Sequence, residues 1–257
     1  GLPSILHNII AMPLRYHGVQ AGMCMLFNAA VSPAGASYYL GRATSLGQLG
    51  AALLHRIQLE GMAAQNRACA RELQIAETSQ KRLIPSSAPP SHDYEFAWSS
   101  VAARHIGGDY VDLLTADTGD IHAVVADVSG HGIDSALLMS SFRAAYRGDA
   151  PRIGPARLAA MLNSAIAHEV GATGMFITAV MMRLDGRSRE AVLTSAGHNP
   201  VLVYRAPGGA IEQIESHGPA LGFVAGTRFD EQRLALASGD IVLLYTDGIT
   251  EAADAEL

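Results

Sequence analysis

The chain has 257 residues, 49% of them apolar and 16% charged, with a formal net charge of −6. That size can bury a sizeable core in one large domain or two smaller ones, and an acidic balance without a basic stripe argues against general nucleic-acid binding. Two cysteines, Cys24 and Cys69, make no disulfide framework and point to a reducing cytoplasmic setting; no apolar run is long enough for a membrane span and no signal peptide opens the chain.

In chain order, Ile9 to Tyr16 and Val19 to Phe27 read as two strands around a His17-Gly18 turn, closed by a loop at Ser32-Pro33-Ala34-Gly35. Two strands cannot bury a core alone, so residues 1–43 read as the C-terminal part of a domain. From Thr44 to Ile84 there is no proline and the composition favours helix. Leu59, Met62, Asn66, Cys69, Leu73, Ala76, Gln80 and Leu83 recur at alternating steps of three and four, a heptad seam with Asn66 and Gln80 as polar interruptions. Residues 44–85 are therefore expected to be a helical linker that pairs as a parallel dimeric coiled coil. The competing reading is a helix packed on its own domain, because the seam is thin and Gly47, Gly50 and Gly61 weaken its upstream half.

Pro85 should end this helix, and Pro89-Pro90 with the neighbouring serines marks a boundary before a domain spanning residues 86–257. Strands are expected at Tyr94–Ala103, Tyr110–Ala116, Ile121–Asp127, Phe176–Asp185, Glu190–Ala196, Val201–Arg205 and Ile241–Thr246. Helices are expected at Ile133–Tyr146 and Pro155–Glu169. The short Gly186-Arg187 connection requires antiparallel neighbours, so the class is α+β, with two sheets covered by helices.

Three aspartates stand beside glycines at strand ends, in Gly107-Gly108-Asp109, Asp127-Val128-Ser129-Gly130 and Thr246-Asp247-Gly248. Carboxylate and carbonyl oxygens suit Mg²⁺ or Mn²⁺, whereas zinc would ask for His and Cys in spacings that do not occur here. Bound cations would also let an acidic chain take an anionic substrate. Singly, each aspartate is as readily a turn or helix-cap residue.

Five segments occur in a recognisable order: Ala103-Arg104-His105-Ile106-Gly107-Gly108-Asp109-Tyr110, Asp127-Val128-Ser129-Gly130-His131-Gly132, Phe176-Ile177-Thr178-Ala179, Ser195-Ala196-Gly197-His198-Asn199-Pro200, and Tyr245-Thr246-Asp247-Gly248-Ile249-Thr250-Glu251. Together they resemble the motifs of the metal-dependent PPM (PP2C-like) serine/threonine phosphatases, in the bacterial SpoIIE/RsbU branch. The resemblance runs from about Ile84 to the end. It implies an α-β-β-α sandwich holding two Mn²⁺ or Mg²⁺ ions, with Asp109 and Asp127 as ligands and Asp109 bridging. The carbonyl of Val128 would complete one shell, and Asp247 would bind the other ion. Arg104 resembles the position that clamps substrate phosphate, a role suited to a planar guanidinium. His131 is a tempting general acid, but its spacing from Asp127 differs from that of eukaryotic relatives and a metal-bound water fits better. His198 and Asp112 read as structural.

Residues 11–26 resemble the last strands of a GAF sensor domain, and Glu72 to Pro85 resembles the linker end of this branch. The implied protein is a sensor-regulated, homodimeric phosphatase acting on a phosphorylated STAS-type anti-anti-sigma protein. The family places one more metal-binding aspartate beyond the Thr-Asp-Gly motif, and the chain stops at Leu257, so 86–257 is expected to be C-terminally incomplete. A catalytically inactive dimerisation and interaction module is the alternative. Gly107-Gly108-Asp109 as a diguanylate cyclase signature is disfavoured by Tyr110-Val111 and by the downstream motifs.

Overall fold

The computed structural model describes residues 9–16, 19–27, 36–101, 106–185, 187–206 and 208–252. The chain divides into two compact units, residues 1–72 and 73–257. In the first, β1 (Ile9–Tyr16) and β2 (Val19–Phe27) pair antiparallel from Ile9 opposite Phe27 to Tyr16 opposite Val19, with the register shifting between Leu14 and Arg15. Helix α1 (Ala36–Lys81) begins earlier than the sequence suggests and continues through its glycines. A Cβ at Gly47 or Gly50 would lie 3.6 or 3.9 Å from Leu14, an ordinary van der Waals distance, so packing does not require glycine at either position and the helix simply runs through them. The expected loop at Ser32–Gly35 lies outside the described residues.

The exposed stretch of α1 carries Leu46, Leu49, Leu53, Ile57, Leu59 and Met62. Ion pairs Arg56–Glu60 and Glu77–Lys81, one turn apart, support the polar faces. The last two positions of the expected seam do not stay on it. Gln80 bonds to Gly107, and Leu83 packs against the core of the second unit.

That second unit is built on a five-stranded antiparallel sheet in the order β3-β4-β5-β6-β9. Its strands are β3 (Tyr110–Thr115), β4 (Ile121–Val128), β5 (Ile177–Leu184), β6 (Glu190–Ala196) and β9 (Gln232–Ala235). A three-stranded sheet, ordered β10-β7-β8, comprises β7 (Val201–Arg205), β8 (Ala210–Ile214) and β10 (Ile241–Leu243). Helices α2 (Ile133–Asp149) and α3 (Pro155–Val170) cover the larger sheet. Period-two alternation sorts the strands between two cores. Val124, Ala126, Val128 and Met181 meet Leu138, Phe142, Leu158 and Leu162 under the helices. Ala123, Val180, Met182 and Leu193 face Val201 and Val203 between the sheets. Among the described residues this gives helix, sheet and sheet layers; the outer face of the small sheet exposes Tyr204, Ile211, Ile241 and Leu243.

Three expectations change. Residues 94–101 form no strand: Tyr94 and Phe96 pack inward against the inter-sheet core, but no ladder partner runs beside them among the described residues. The segment is held instead by Tyr94 Oη donating to the Asp185 carbonyl at 3.0 Å and Trp98 Nε1 donating to that of Pro85 at 3.1 Å. Strand β10 stops at Leu243, opposite Leu202, because continuing the register would set Tyr245 against Pro200, which has no N–H to donate. Strands β8 and β9 went unread because they are short and, in β8, exposed along nearly their whole length.

Asp112, expected to be structural, faces Arg147 rather than the cleft lined by Asp109 and Asp127. Fully buried, it accepts from the Tyr110 hydroxyl and from the Leu113 N–H at 2.9 Å, and pairs with Arg147 of α2 at 2.9 Å. This ties β3 to α2.

Candidate active site

The register of β3 against β4 builds the site. Tyr110 pairs with Ala126, so one step further the pairing sets Asp109 opposite Asp127 and Gly108 opposite Val128. The approach there is tight. A Cβ on Gly108 would fall 2.5 Å from the Val128 carbonyl oxygen and 3.2 Å from Asp127 Oδ1, so only glycine lets the two backbones meet. The Asp109 and Asp127 carboxyls hydrogen-bond to each other, and Thr246 Oγ1 donates to Asp109 Oδ2 at 3.2 Å. Asp247 follows at the start of a 3-10 turn, Asp247–Ile249, whose carbonyl accepts from the Glu251 N–H at 2.8 Å.

Crowded carboxylates resist ionisation. Burial raises Asp109 above the ordinary carboxylate range, and the Asp247 charge adds to this, while hydrogen bonds from Asp127 and Thr246 oppose it. Asp127 is pushed up to about 7, first by burial and then by the charges of Asp109 and Asp247. Within the described residues no cation stands among the groups that set either value. No three His, Cys, Asp or Glu side chains among the described residues yet converge in ligating geometry. The donor set nonetheless fits a hard divalent cation: all oxygen, two carboxylates in mutual contact, and a carbonyl brought alongside by a glycine that a side chain would displace.

The cleft over this cluster measures about 600 Å³ and is lined by Asp109, Asp127, Val128, Asp247, His131 and His198, among others. His131 is exposed at its edge. His198 is 5% exposed; its Nδ1 pairs with Thr178 Oγ1 at 2.8 Å, and Thr178 stands opposite Asp127 in the sheet. Burial lowers the imidazole to about 4, against the opposing pull of the Tyr245 carbonyl and the Asp247 charge. The buried imidazole, expected to be structural, is thus tied through Thr178 to the strand beside Asp127. Ser129 continues the wall: its Oγ accepts from the Phe176 N–H, and its own N–H donates to the Phe176 carbonyl, each at 2.9 Å.

The structure thus brings Asp109, Asp127, the Val128 carbonyl and Asp247 to one cleft. Arg104 lies outside the described residues. Thr246, Thr178 and Gln80 were not singled out for the site from sequence. Thr246 was adjacent to a named motif residue, but its role depends on a contact that spans 137 positions.

A two-core sandwich with paired carboxylates at one end of the larger sheet defines a PP2C-like phosphatase domain. The SiaA-PP2C domain of Pseudomonas aeruginosa shares the fold, with a TM-score of 0.57 at 19% identity over 72% of this chain and 74% of that one. The family model for stage II sporulation protein E (SpoIIE) matches residues 117–257, and the chain belongs to that family. Phosphoserine phosphatase RsbU of Bacillus subtilis is 30% identical over 183 residues, covering 70% of this chain and 53% of the relative. Phosphoserine phosphatase RsbP of the same organism is 26% identical over 187 residues, or 70% of this chain and 45% of that protein. A Mycobacterium tuberculosis structure comprising RsbU and RsbW domains is 30% identical, with a TM-score of 0.51 over 60% of this chain and 42% of that one. The chain spans about half the length of these curated relatives. No helix among the described residues is long and apolar enough to cross a membrane.

Proposed function

We propose that the chain is a metal-dependent phosphoprotein serine/threonine phosphatase whose site is the Asp109–Asp127 cluster. The carrying observation is the contact between these two carboxyls, with Asp127 raised to about 7 where no cation offsets them. Asp109, Asp127, Asp247 and the Val128 carbonyl are the residues that would hold Mn²⁺ or Mg²⁺. Bound there, two such ions would supply Lewis acidity toward phosphoryl oxygens and a water acidic enough to ionise near neutrality.

The chain's own residues supply orientation and charge. Thr246 fixes the Asp109 carboxylate, Gly108 admits the Val128 carbonyl, and the Thr178–His198 pair braces the sheet below Asp127. In this reading Arg104 binds the substrate phosphate through two parallel hydrogen bonds. His131, at the cleft edge, is not needed as the acid.

The naming of RsbU and RsbP as phosphoserine phosphatases supports a phosphoserine substrate, and the joined RsbU and RsbW domains of the mycobacterial protein support a partner-switching setting. We take the substrate to be a phosphorylated STAS-type anti-anti-sigma protein. The exposed apolar side chains of α1 favour a homodimer through that helix, with residues 1–43 as the remainder of a GAF-like sensor. The free, exposed Cys69 suits a cytoplasmic location.

Hydrolysis of p-nitrophenyl phosphate and of a phosphorylated STAS-domain protein, with and without Mn²⁺, tests this reading for the wild type and Asp247→Asn. Mn²⁺-dependent turnover that Asp247→Asn reduces at least tenfold is expected. Equal rates in both proteins would favour the alternative of an inactive interaction module.

A further inference from the structure

The carboxamide of Gln80 makes a two-point pair with the backbone of Gly107. Nε2 donates to the Gly107 carbonyl at 2.6 Å, and the Gly107 N–H donates to Oε1 at 3.1 Å. A side-chain amide used in this way reproduces the donor and acceptor of a peptide group, supplying one rung of a ladder where no strand runs. Residues 106–109 have no regular structure of their own, and β3 starts only at Tyr110. Two adjacent glycines, the residues with the widest backbone freedom, therefore lead directly into Asp109.

Gln80 is itself held firmly. It lies in the last turn of α1, and its carbonyl accepts from the Leu83 N–H at 2.8 Å. Arg143 Nε of α2 donates to the Leu83 carbonyl at 3.1 Å, and Leu83 packs on the helix-covered core. Trp98 Nε1 caps the Pro85 carbonyl. The segment from Gln80 to Pro85 is thus pinned at several points, and Lys81 and Ile84 line the same cleft as the aspartates.

We infer that Gln80 is a positioning residue for the metal cluster: its carboxamide fixes the Gly107–Gly108 peptide and, through it, the Asp109 carboxylate. The site is then fully formed only when the last turn of α1 is helical and docked. This rests on the metal-dependent reading given above. It also accounts for a polar residue at Gln80, where a continuous seam would favour an apolar one. The amide is committed to Gly107.

Two measurements on the 257-residue chain test the inference: Mn²⁺ affinity by titration calorimetry, and amide hydrogen exchange at Gly107 in metal-free protein. Gln80→Ala should weaken Mn²⁺ binding roughly tenfold, the effect of losing two partly exposed hydrogen bonds. It should also speed Gly107 exchange, raise the Mn²⁺ concentration giving half-maximal hydrolysis, and leave the rate at saturating Mn²⁺ near wild type. Gln80→Glu keeps an acceptor for the Gly107 N–H and should retain its protection while losing the bond to the carbonyl. Gln74→Ala, on an exposed position of the same helix, should match wild type throughout.

Wild-type Mn²⁺ affinity in Gln80→Ala, or unchanged Gly107 exchange, overturns the inference while leaving the phosphatase reading intact. A wild type that binds no Mn²⁺ overturns both. Should Gln80→Ala fail to fold, Gln80→Glu decides: loss of Gly107 protection in that variant also overturns the proposed pairing.

Discussion

The hydroxyl of Thr246 reaches the Asp109 carboxylate at 3.2 Å, joining the segment after β10 to the entry of β3. Asp109 precedes the first residue of β3, so its side chain is held by this contact and the facing Asp127, on a backbone that Gln80 pins at Gly107. Thr246→Val keeps the shape and removes the donor. A hydrogen bond to a charged group contributes about 1.5–3 kcal/mol, and partial exposure here brings the expected loss to about 1 kcal/mol. Mn²⁺ affinity should therefore fall about fivefold in a calorimetric titration, with little change in melting temperature. An affinity equal to wild type would show that Asp109 is positioned without Thr246.

Gly108 is constrained by the Val128 carbonyl. An alanine Cβ at 2.5 Å from that oxygen cannot be accommodated without parting β3 from β4 at the point where Asp109 and Asp127 meet. Gly108→Ala should destabilise the domain by about 1–3 kcal/mol, the usual cost of forcing atoms into a packed site. Hydrolysis should drop at least a hundredfold, because displacement by an ångström is enough to spoil a catalytic geometry. Far-ultraviolet dichroism and an Mn²⁺-dependent rate, measured together, separate this from global unfolding. A variant with a native spectrum and native rate would refute the close approach.

Much of this was legible in the sequence, for identifiable reasons. The strands β3 to β7 carried largely apolar runs bounded by glycine-containing turns, and both α2 and α3 opened after glycines with apolar faces of helical period. Asp109 just before β3 and Asp127 near the end of β4 could be placed because strand ends and Gly-Gly turns are local features. Their direct opposition was not, since register is set by pairing across the sheet. Tyr94 and Phe96 show the converse: inward alternation is readable, but whether a ladder partner exists is not. Gln80 was read as a seam residue because periodicity assigns a face to a side chain without saying which neighbour occupies it. Gly47 and Gly50 point the opposite way in sequence, yet a penalty of about 1 kcal/mol per glycine does not interrupt a helix as long as α1.

Proton occupancy of the aspartate cluster sets a further prediction. Asp127, raised to about 7 in the folded protein, holds a proton that the unfolded chain would release near pH 4. The native state thus binds more protons than the unfolded one across that interval, so this group's contribution to stability is complete below about pH 4 and is lost as pH rises through 7. His198 acts with the opposite sign. Lowered to about 4, its contribution is complete above its ordinary value of 6.5 and is lost as pH falls through 4. Asp109 is raised by the same crowding and acts with the same sign as Asp127, so metal-free protein should melt at a falling temperature as pH is raised from roughly 6.5 through 7. Asp127→Asn should flatten the slope and raise the metal-free melting temperature at pH 8, while abolishing Mn²⁺-dependent hydrolysis, the usual trade where charge is crowded for function. Cation binding must displace the same proton, so calorimetry at pH 7 should show an Mn²⁺ binding enthalpy that varies with the ionisation enthalpy of the buffer. A buffer-independent enthalpy, or a slope unchanged in Asp127→Asn, would mean that Asp127 is already ionised and that some neighbouring group neutralises it in the absence of metal.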